Sequence, residues 1–381
     1  MPLDVWFWQR MITPHMACLA AALAERGHRI TYVAEEELSV ERMALGWESP
    51  ALSNVSTHFI KHRGDAENLV GKAPEGVVHL MQGLRSNGLI RHAQTAVSSA
   101  LQRQYVIMEG VDRRGPAGIL RKLLYFSSIR RVGRNLDGVL AIGSGTPSWL
   151  RRLAPSNLSI FPFAYFLGEQ SASKYAARST IFRFLYVGSL IPLKRVDLLM
   201  RALGSLSDHA FELHIIGDGP LRGELGELAH RLLPSRTKFH GVLPISQIRT
   251  QMEQADCVVL PSSHDGWGAV VSESLMAGTP VVCSSACGSC SVVLASGSGG
   301  VFQVADFPRF CGLLRAAVAR GKIRSEDRLA MQTWAMCLGA RAGAAYLEAI
   351  ISNRGTSPPP SPPWVDPRVA SEYDGTSSSR T

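Results

Sequence analysis

The chain has 381 residues, 46% of them hydrophobic and 19% charged, which suits two globular domains of roughly 150 residues each and excludes a disordered or fibrous protein. Its net charge of +9, with the histidines neutral, admits phosphorylated substrates, an anionic membrane or nucleic acid as partners. No apolar run approaches the roughly 18 residues that would span a bilayer. The longest, Met16 to Ala24, leads into Glu25-Arg26-Gly27 and reads as a buried helix face.

The N-terminus carries no signal-peptide pattern, because Asp4 and Arg10 bracket only a brief apolar stretch. A cytoplasmic protein is expected. The seven cysteines are odd in number, and a chain of this size needs no disulfide framework. Cys283, Cys287 and Cys290 crowd together among Ser, Ala and Gly, with no histidine close by. Small-residue packing accounts for them, and no metal site is expected.

In chain order, Asp4 to Trp8 reads as a strand. Thr13-Pro14 fits the cap and first turn of a helix that runs to Arg26 and stops at Gly27. A strand from Arg29 to Ala34 completes a βαβ unit. The stretch from Ser49 to Gly88 has no clear pattern. Tyr105 to Met108 and Gly138 to Ile142 look like later buried strands. Between these two, Arg113 to Arg134 contains seven basic residues and no acid, with Leu120, Leu123, Leu124, Tyr125, Phe126 and Ile129 interleaved. Two readings stand open for it: a basic amphipathic helix at an anionic membrane surface, or an ordinary helix with its apolar side in the core. Aromatic residues are too few there for a nucleic-acid platform, so no nucleic acid is expected.

The rhythm changes near Phe161-Pro162-Phe163, and Leu167 to Ser179 has the polar, small-residue composition of a linker. The expected division is an N-terminal Rossmann-like domain over 1–165, a linker over 166–180 and a second such domain over 181–324. A helical segment over 325–352 and a disordered tail over 353–381, rich in Pro, Ser and Gly, follow. In the second domain, strands are expected at Phe182–Val187, Phe211–Ile216, Lys238–His240, Cys257–Leu260 and Pro280–Cys283. Helices are expected at Lys194–Leu203, Leu221–Leu232, Ile245–Gln254 and Val270–Ala277. The fold class is therefore α/β, with two facing doubly wound domains and a cleft between them.

Three strand ends of the second domain carry candidate chemistry. The first, Gly188-Ser189-Leu190-Ile191-Pro192-Leu193-Lys194, delivers a lysine to a helix start. The second is Gly217-Asp218-Gly219-Pro220. The third, Asp265-Gly266-Trp267-Gly268, runs into Ala269-Val270-Val271-Ser272-Glu273. Gly266 and Gly268 let backbone approach a ligand. The helix start at Val270 and Val271 offers N–H groups and a positive dipole end to a diphosphate, and Lys194 adds a point charge. Glu273 can accept hydrogen bonds from ribose hydroxyls, and Asp265 can orient the hydroxyls of a sugar.

These residues carry a resemblance. From Phe184 to Val293 the chain is similar to the nucleotide-sugar-binding half of the family-4 glycosyltransferases, which have the GT-B fold. The matching text is Val187-Gly188, Lys194, Asp197-Leu198-Leu199, Ile216 to Leu221, and Asp265 through Val282. The spacing of Asp265 to Glu273 follows the family's Glu-x7-Glu signature, with Asp in place of the first Glu. More loosely, Pro14-His15, Ala24 to His28 and the strand ending at Glu109 match the N-terminal half.

The resemblance implies retaining transfer of a sugar from a nucleotide diphosphate sugar to a saccharide or lipid-linked acceptor held by the N-terminal domain. Cell-surface polysaccharide or glycolipid would be the product, made by a cytoplasmic enzyme that can sit peripherally at the inner face of the membrane. His15 and Glu109 join Asp265 as candidate catalytic residues. Gly188, Lys194, Gly217, Gly219, Gly266, Gly268, Val270, Val271 and Glu273 are the candidate donor-binding residues. No cofactor is expected besides the donor substrate, and since no Asp-x-Asp pair occurs, none of the chemistry calls for a metal. Two departures stand out. Ser189 occupies a position where the family usually has a basic residue, and Asp265 is one methylene shorter than Glu. A GT-B sugar-nucleotide epimerase and a catalytically silent nucleotide-sugar-binding protein are the alternatives.

Overall fold

The computed structural model describes the chain apart from residues 45, 51, 86–87, 170–180, 207, 354–358 and 366–381. It separates into two compact units. The first comprises Met1–Ser39, Ser49–Glu169 and Cys337–Thr381; the second comprises Val40–Glu48 and Gln170–Met336.

The first unit is built on seven parallel strands: β1 (Asp4–Met11), β2 (Arg29–Glu36), β3 (Ser56–Phe59), β4 (Val78–Gln82), β5 (Arg103–Glu109), β6 (Gly138–Ile142) and β7 (Ile160–Phe163). Their order is β3-β2-β1-β4-β5-β6-β7. Strand β1 shows why the sheet is central. Trp6 and Trp8 point to one face, where their rings lie 6.0 Å apart. Phe7 points to the other and stacks at 5.8 Å on Tyr32 of β2, as the two-residue period of a strand requires. The connecting helices are α1 (Pro14–Glu25), α2 (Val40–Ala44, a short excursion grouped with the second unit), α3 (Arg63–Gly71), α4 (Ile90–Ser99), α5 (Gly115–Val132) and α6 (Thr146–Arg151). The unpatterned stretch from Ser49 to Gly88 holds β3, α3 and β4. Its pattern is weak because β3 is an edge strand with all four residues exposed, so no buried face marks the sequence.

The second unit has six parallel strands: β8 (Phe182–Val187), β9 (Phe211–Ile216), β10 (Thr237–Gly241), β11 (Cys257–Leu260), β12 (Val281–Ser284) and β13 (Gly299–Phe302). Their order is β10-β9-β8-β11-β12-β13. Strands β11 and β12 are buried at every position, which is how central parallel strands covered on both faces read. Helices α7 (Val196–Gly204), α8 (Arg222–Leu232), α9 (Ile245–Gln254), α10 (Ala269–Met276), α11 (Cys290–Ser296), α12 (Phe307–Arg320) and α13 (Ser325–Ala335) connect and flank them.

The helical segment expected over 325–352 is not one piece. It breaks near Gly339, and α14 (Ala340–Ser352) belongs to the first unit whereas α13 belongs to the second. Helix α13 is held by Arg328, whose buried guanidinium donates to Thr279 Oγ1 at 2.6 Å and to the Ala255 carbonyl at 3.0 Å. Helix α14 packs on α1, with Tyr346 donating to the Pro162 carbonyl at 2.9 Å.

Two expected loose segments are partly packed. At the start of the expected linker, Phe166 is fully buried and Leu167 forms a bridge to Gly339. Gly343 is needed for this approach, since a Cβ there would lie 2.3 Å from the Phe166 ring. In the expected disordered tail, Trp364 is buried and its ring lies 6.3 Å from that of Phe166. An aromatic anchor in a Pro-rich segment overrides the composition signal. The rest of the linker, 170–180, and the tail residues 354–358 and 366–381 lie outside the described residues.

Candidate active site

In a doubly wound sheet, ligands bind beyond the carboxyl ends of the strands where the strand order reverses. In the second unit the order reverses between β8 and β11. The loop after β8 carries Lys194 and the loop after β11 carries Asp265. Although 71 residues apart, Lys194 Nζ donates to Asp265 Oδ2 at 2.5 Å. Both side chains are largely buried, 21% and 15% exposed, so the pair is better shielded from solvent screening than a surface ion pair.

The Asp265 loop is fixed from the neighbouring loop after β12. Asp265 N–H donates to the Ala286 carbonyl at 3.1 Å, Gly288 N–H donates to the Asp265 carbonyl at 3.0 Å, and Ser289 N–H donates to the Trp267 carbonyl at 2.9 Å. Trp267 is fully buried, and its indole N–H donates to Ser272 Oγ at 3.2 Å. This anchor was read in the sequence only as part of the motif.

Helix α10 starts beside Asp265. Gly268 caps it with φ +83°, a left-handed conformation, and no side chain caps the helix or adds an acid to its first turn. Its dipole end is thus uncompensated. Of the two candidate donors, Val271 N–H is already used, donating to the Gly268 carbonyl at 2.9 Å. The backbone donors that remain are those of Ala269 and Val270. Gly268 takes a positive φ, whereas Gly266 does not. A Cβ at Gly268 would lie 2.9 Å from Leu260 Cδ2.

Gly188, Gly217 and Gly219 adopt φ of +151°, +124° and +159°. Their first role is mutual packing of the first two strand ends. A Cβ on Gly217 would lie within van der Waals overlap of the Gly188 carbonyl oxygen, and one on Gly219 would lie 2.6 Å from the Leu190 carbonyl oxygen. Leu190 N–H donates to the Asp218 carbonyl at 2.9 Å and Leu221 N–H to the Leu190 carbonyl at 3.1 Å. Small residues here let two backbones meet.

Lys194 does not open a helix, as the sequence reading had it. It ends a single 3₁₀ turn, Pro192–Lys194, and α7 begins at Val196. Between them Arg195 takes the left-handed conformation, φ +53°, which is costly for a side-chain-bearing residue. Its guanidinium is held by both Asp197 oxygens, at 3.1 and 3.2 Å. Arg195 is a second cation at this turn that the sequence reading missed; the adjacent Lys194-Arg195 pair was the available signal.

Glu273 lies in the second turn of α10, half-buried, and its carboxyl has no hydrogen-bond or ion-pair partner among the described residues. Burial pushes its pKa up to about 7. A carboxyl left so poised has a site role open to it.

His15 and Glu109 belong to the first unit and are described there. His15 sits at the start of α1 with its ring stacked at 4.9 Å on Tyr165, largely buried. Glu109 ends β5 with an exposed side chain. The first unit's own strand-order reversal, between β1 and β4, is bridged by Arg10 N–H donating to Gln82 Oε1 at 2.6 Å.

The cysteine cluster is a packing feature of the loop behind Asp265. Its thiols are free, and a hydrogen bond with Cys287 together with burial pushes the Cys283 thiol well above its ordinary range. Among the described residues no group of three or more His, Cys, Asp or Glu is placed to hold a metal ion. No described helix is long and apolar enough to cross a membrane.

With this geometry in view, residues 169–318 match the family model of the glycosyl transferases group 1, and the two parallel-sheet units form the GT-B fold. An uncharacterized glycosyltransferase of Methanocaldococcus jannaschii is 33% identical over 111 residues, 29% of this chain and 28% of that one. The aligned stretch thus spans well under half of that relative. HepE of Anabaena, solved in complex with UDP, superimposes with a TM-score of 0.69 at 15% identity, covering 92% of this chain and all of HepE. WaaG, a glycosyltransferase involved in lipopolysaccharide biosynthesis, does so with a TM-score of 0.58 at 18% identity, covering 97% and 100%.

Proposed function

We propose that the protein is a retaining glycosyltransferase that moves a sugar, a hexose by class, from a nucleotide diphosphate sugar to a saccharide or lipid-linked acceptor. Its product would belong to a cell-surface polysaccharide or glycolipid. The observation that carries this reading is the Lys194–Asp265 pair at the strand-order reversal, beside the uncapped start of α10 and followed on that helix by Glu273. The group 1 match over 169–318 and the UDP bound in the structurally similar HepE support it.

As the bond between the anomeric carbon and the diphosphate breaks, negative charge grows on the leaving phosphate and positive charge on the sugar. The Lys194 ammonium and the Ala269 and Val270 N–H groups meet the first. They supply what a divalent metal supplies elsewhere, so transfer is expected without one. Asp265, released from Lys194 as the diphosphate takes its place, orients sugar hydroxyls. Glu273 holds the ribose. His15 and Glu109 serve the acceptor side.

The test is a panel of nucleotide diphosphate sugars, offered with saccharide and lipid-linked acceptors and followed by product analysis. We expect transfer that persists in EDTA. Activity abolished by EDTA and restored by magnesium or manganese would overturn the metal-free account. Conversion of the donor to its epimer without acceptor would assign an epimerase, and binding without turnover a silent binding protein.

The division of roles predicts that Glu273→Ala weakens binding of free nucleoside diphosphate by about tenfold or more, while Asp265→Ala chiefly lowers the transfer rate. Equal loss of nucleoside diphosphate affinity in both would refute it. Glu273 also sets a pH dependence. Its folded pKa is raised above the unfolded value, so the stability it contributes is present below about pH 4.5 and lost as pH rises through about 7. In the unliganded protein, Glu273→Gln should therefore leave the melting temperature nearly unchanged near pH 4 and raise it at pH 8, by an amount equivalent to about 3 kcal/mol.

A further inference from the structure

We propose that Cys287 and Cys290 are a dithiol that a peroxide closes to a disulfide, and that closure displaces the Asp265 loop. Packing explains Cys283 and Cys287, which are 0% and 1% exposed. It does not explain Cys290, which is only partly buried and whose thiol donates to the carbonyl of exposed Ser285 at 3.8 Å. Cys287-Gly288-Ser289-Cys290 follows β12 and ends where α11 begins. Two cysteines at this spacing, between a strand and a helix, suit a dithiol that cycles between reduced and oxidised states.

The backbone holds the pair within reach. Cys290 N–H donates to the Cys287 carbonyl at 3.1 Å. A four-residue turn closed in this way keeps its end Cα atoms within about 7 Å, close to the span of a disulfide. Little holds the sulfurs apart. Cys287 Sγ donates to the Leu260 carbonyl at 3.7 Å and lies 3.5 Å from Ser284 Oγ, and thiol hydrogen bonds are weak.

Cys290 is the thiol a solute can reach. Its sulfur attacks the O–O bond of hydrogen peroxide, forming a sulfenic acid and releasing water that carries the thiol proton. The Cys287 sulfur then attacks the sulfenic sulfur. The S–S bond forms, the S–O bond breaks, and hydroxide leaves with the Cys287 proton as a second water. Two thiols lose two electrons and the peroxide gains them. An external dithiol reverses the step by exchange. Cys283 is the weaker candidate partner, because a hydrogen bond with Cys287 and burial push its thiol well above the ordinary range.

The two residues enclosed by the cysteines are the ones that fix the site. Gly288 N–H donates to the Asp265 carbonyl at 3.0 Å, and Ser289 N–H to the Trp267 carbonyl at 2.9 Å. Ser289 Oγ donates to the Gly268 carbonyl at 3.4 Å. A bond drawn across this turn moves these donors, and with them Asp265, its contact to Lys194 and the start of α10. The effect on activity rests on the proposed sugar transfer; the disulfide does not.

The experiment treats the reduced full chain with hydrogen peroxide, alkylates the remaining thiols after denaturation and maps the peptides by mass. We expect a Cys287–Cys290 link, transfer lowered about 10- to 100-fold by the misplaced loop, and recovery of both with dithiothreitol. Amide exchange at Asp265 and Ser289 should quicken in the oxidised protein. Cys290→Ser should keep kcat/KM within about threefold of the unaltered reduced protein and resist peroxide. Changing Cys18 and Cys311, two other partly buried thiols, together to Ser should leave the peroxide sensitivity in place. The switch is overturned by a link from Cys283 instead, by Cys290 oxidised without a link, by a Cys287–Cys290 link that leaves exchange and transfer unchanged, or by sensitivity that survives Cys290→Ser. A reversible link with faster exchange, but no transfer in either state, would uphold the switch and remove the proposed function.

Discussion

Replacing Lys194 with alanine lowers kcat/KM for sugar transfer by about 100- to 1,000-fold, the range found when one preorganised group facing developing charge is removed. The expectation follows from position. Lys194 Nζ is held at 2.5 Å from Asp265 at the strand-order reversal of the second unit, next to a helix start whose capping residue supplies no side-chain acceptor. With Ser189 at the preceding strand end and Arg195 engaged by Asp197, few other cations of this turn are available to a leaving diphosphate. A purely structural role would behave differently. If Lys194 meets phosphate, the alanine variant loses affinity for nucleoside diphosphate and keeps its affinity for the bare nucleoside. Equal loss for both ligands, or a kcat/KM within about threefold of the unaltered protein, would remove Lys194 from the chemistry.

Acidification from pH 7 to pH 4 destabilises each unit by about 3 kcal/mol through one buried histidine apiece. In the first unit, His79 is fully buried. Trp8 Nε1–H donates to its Nδ1 at 2.9 Å, which places the imidazole proton on Nε2, facing Gln102 Oε1 at 3.0 Å. A second proton would have to face the Trp8 donor. Burial pushes the His79 pKa down to about 4. In the second unit, burial likewise pushes His214 down to about 4, with the hydrogen bond to Glu212 opposing it. Its ring lies between Glu212 and His240, at 3.0 Å from each.

Both folded pKa values lie below the unfolded value near 6.5. Their contribution is therefore fully present above pH 6.5 and lost as pH falls through about 4. Urea unfolding across this range measures the loss, and the ring resonances of His79 and His214 should titrate with midpoints near 4. A midpoint near 6.5 for either ring would cancel that unit's share.

The sequence by itself determined the class of fold and the composition of the candidate site. Buried strands announce themselves locally: Val5 to Trp8, Val139 to Ile142 and Cys257 to Leu260 are apolar because both faces of a parallel sheet are covered. Glycines such as Gly188, Gly217 and Gly268 mark places where the backbone must take φ values that other residues resist. Spacing within one motif, as from Asp265 to Glu273, is equally local.

What only the tertiary structure decided are relations between distant segments. Lys194 meets Asp265 because the strand order seats β8 beside β11, and no local period encodes that adjacency. The helical segment 325–352 divides between two units because α13 finds its partner in α10 and α14 in α1. Trp364 is packed because Phe166 is there to receive it. The same holds for α5, whose apolar residues could have faced a core but are exposed at Ile119, Leu120 and Leu123. A helix period records which residues share a face, but whether that face meets protein or solvent depends on what the rest of the chain places against it.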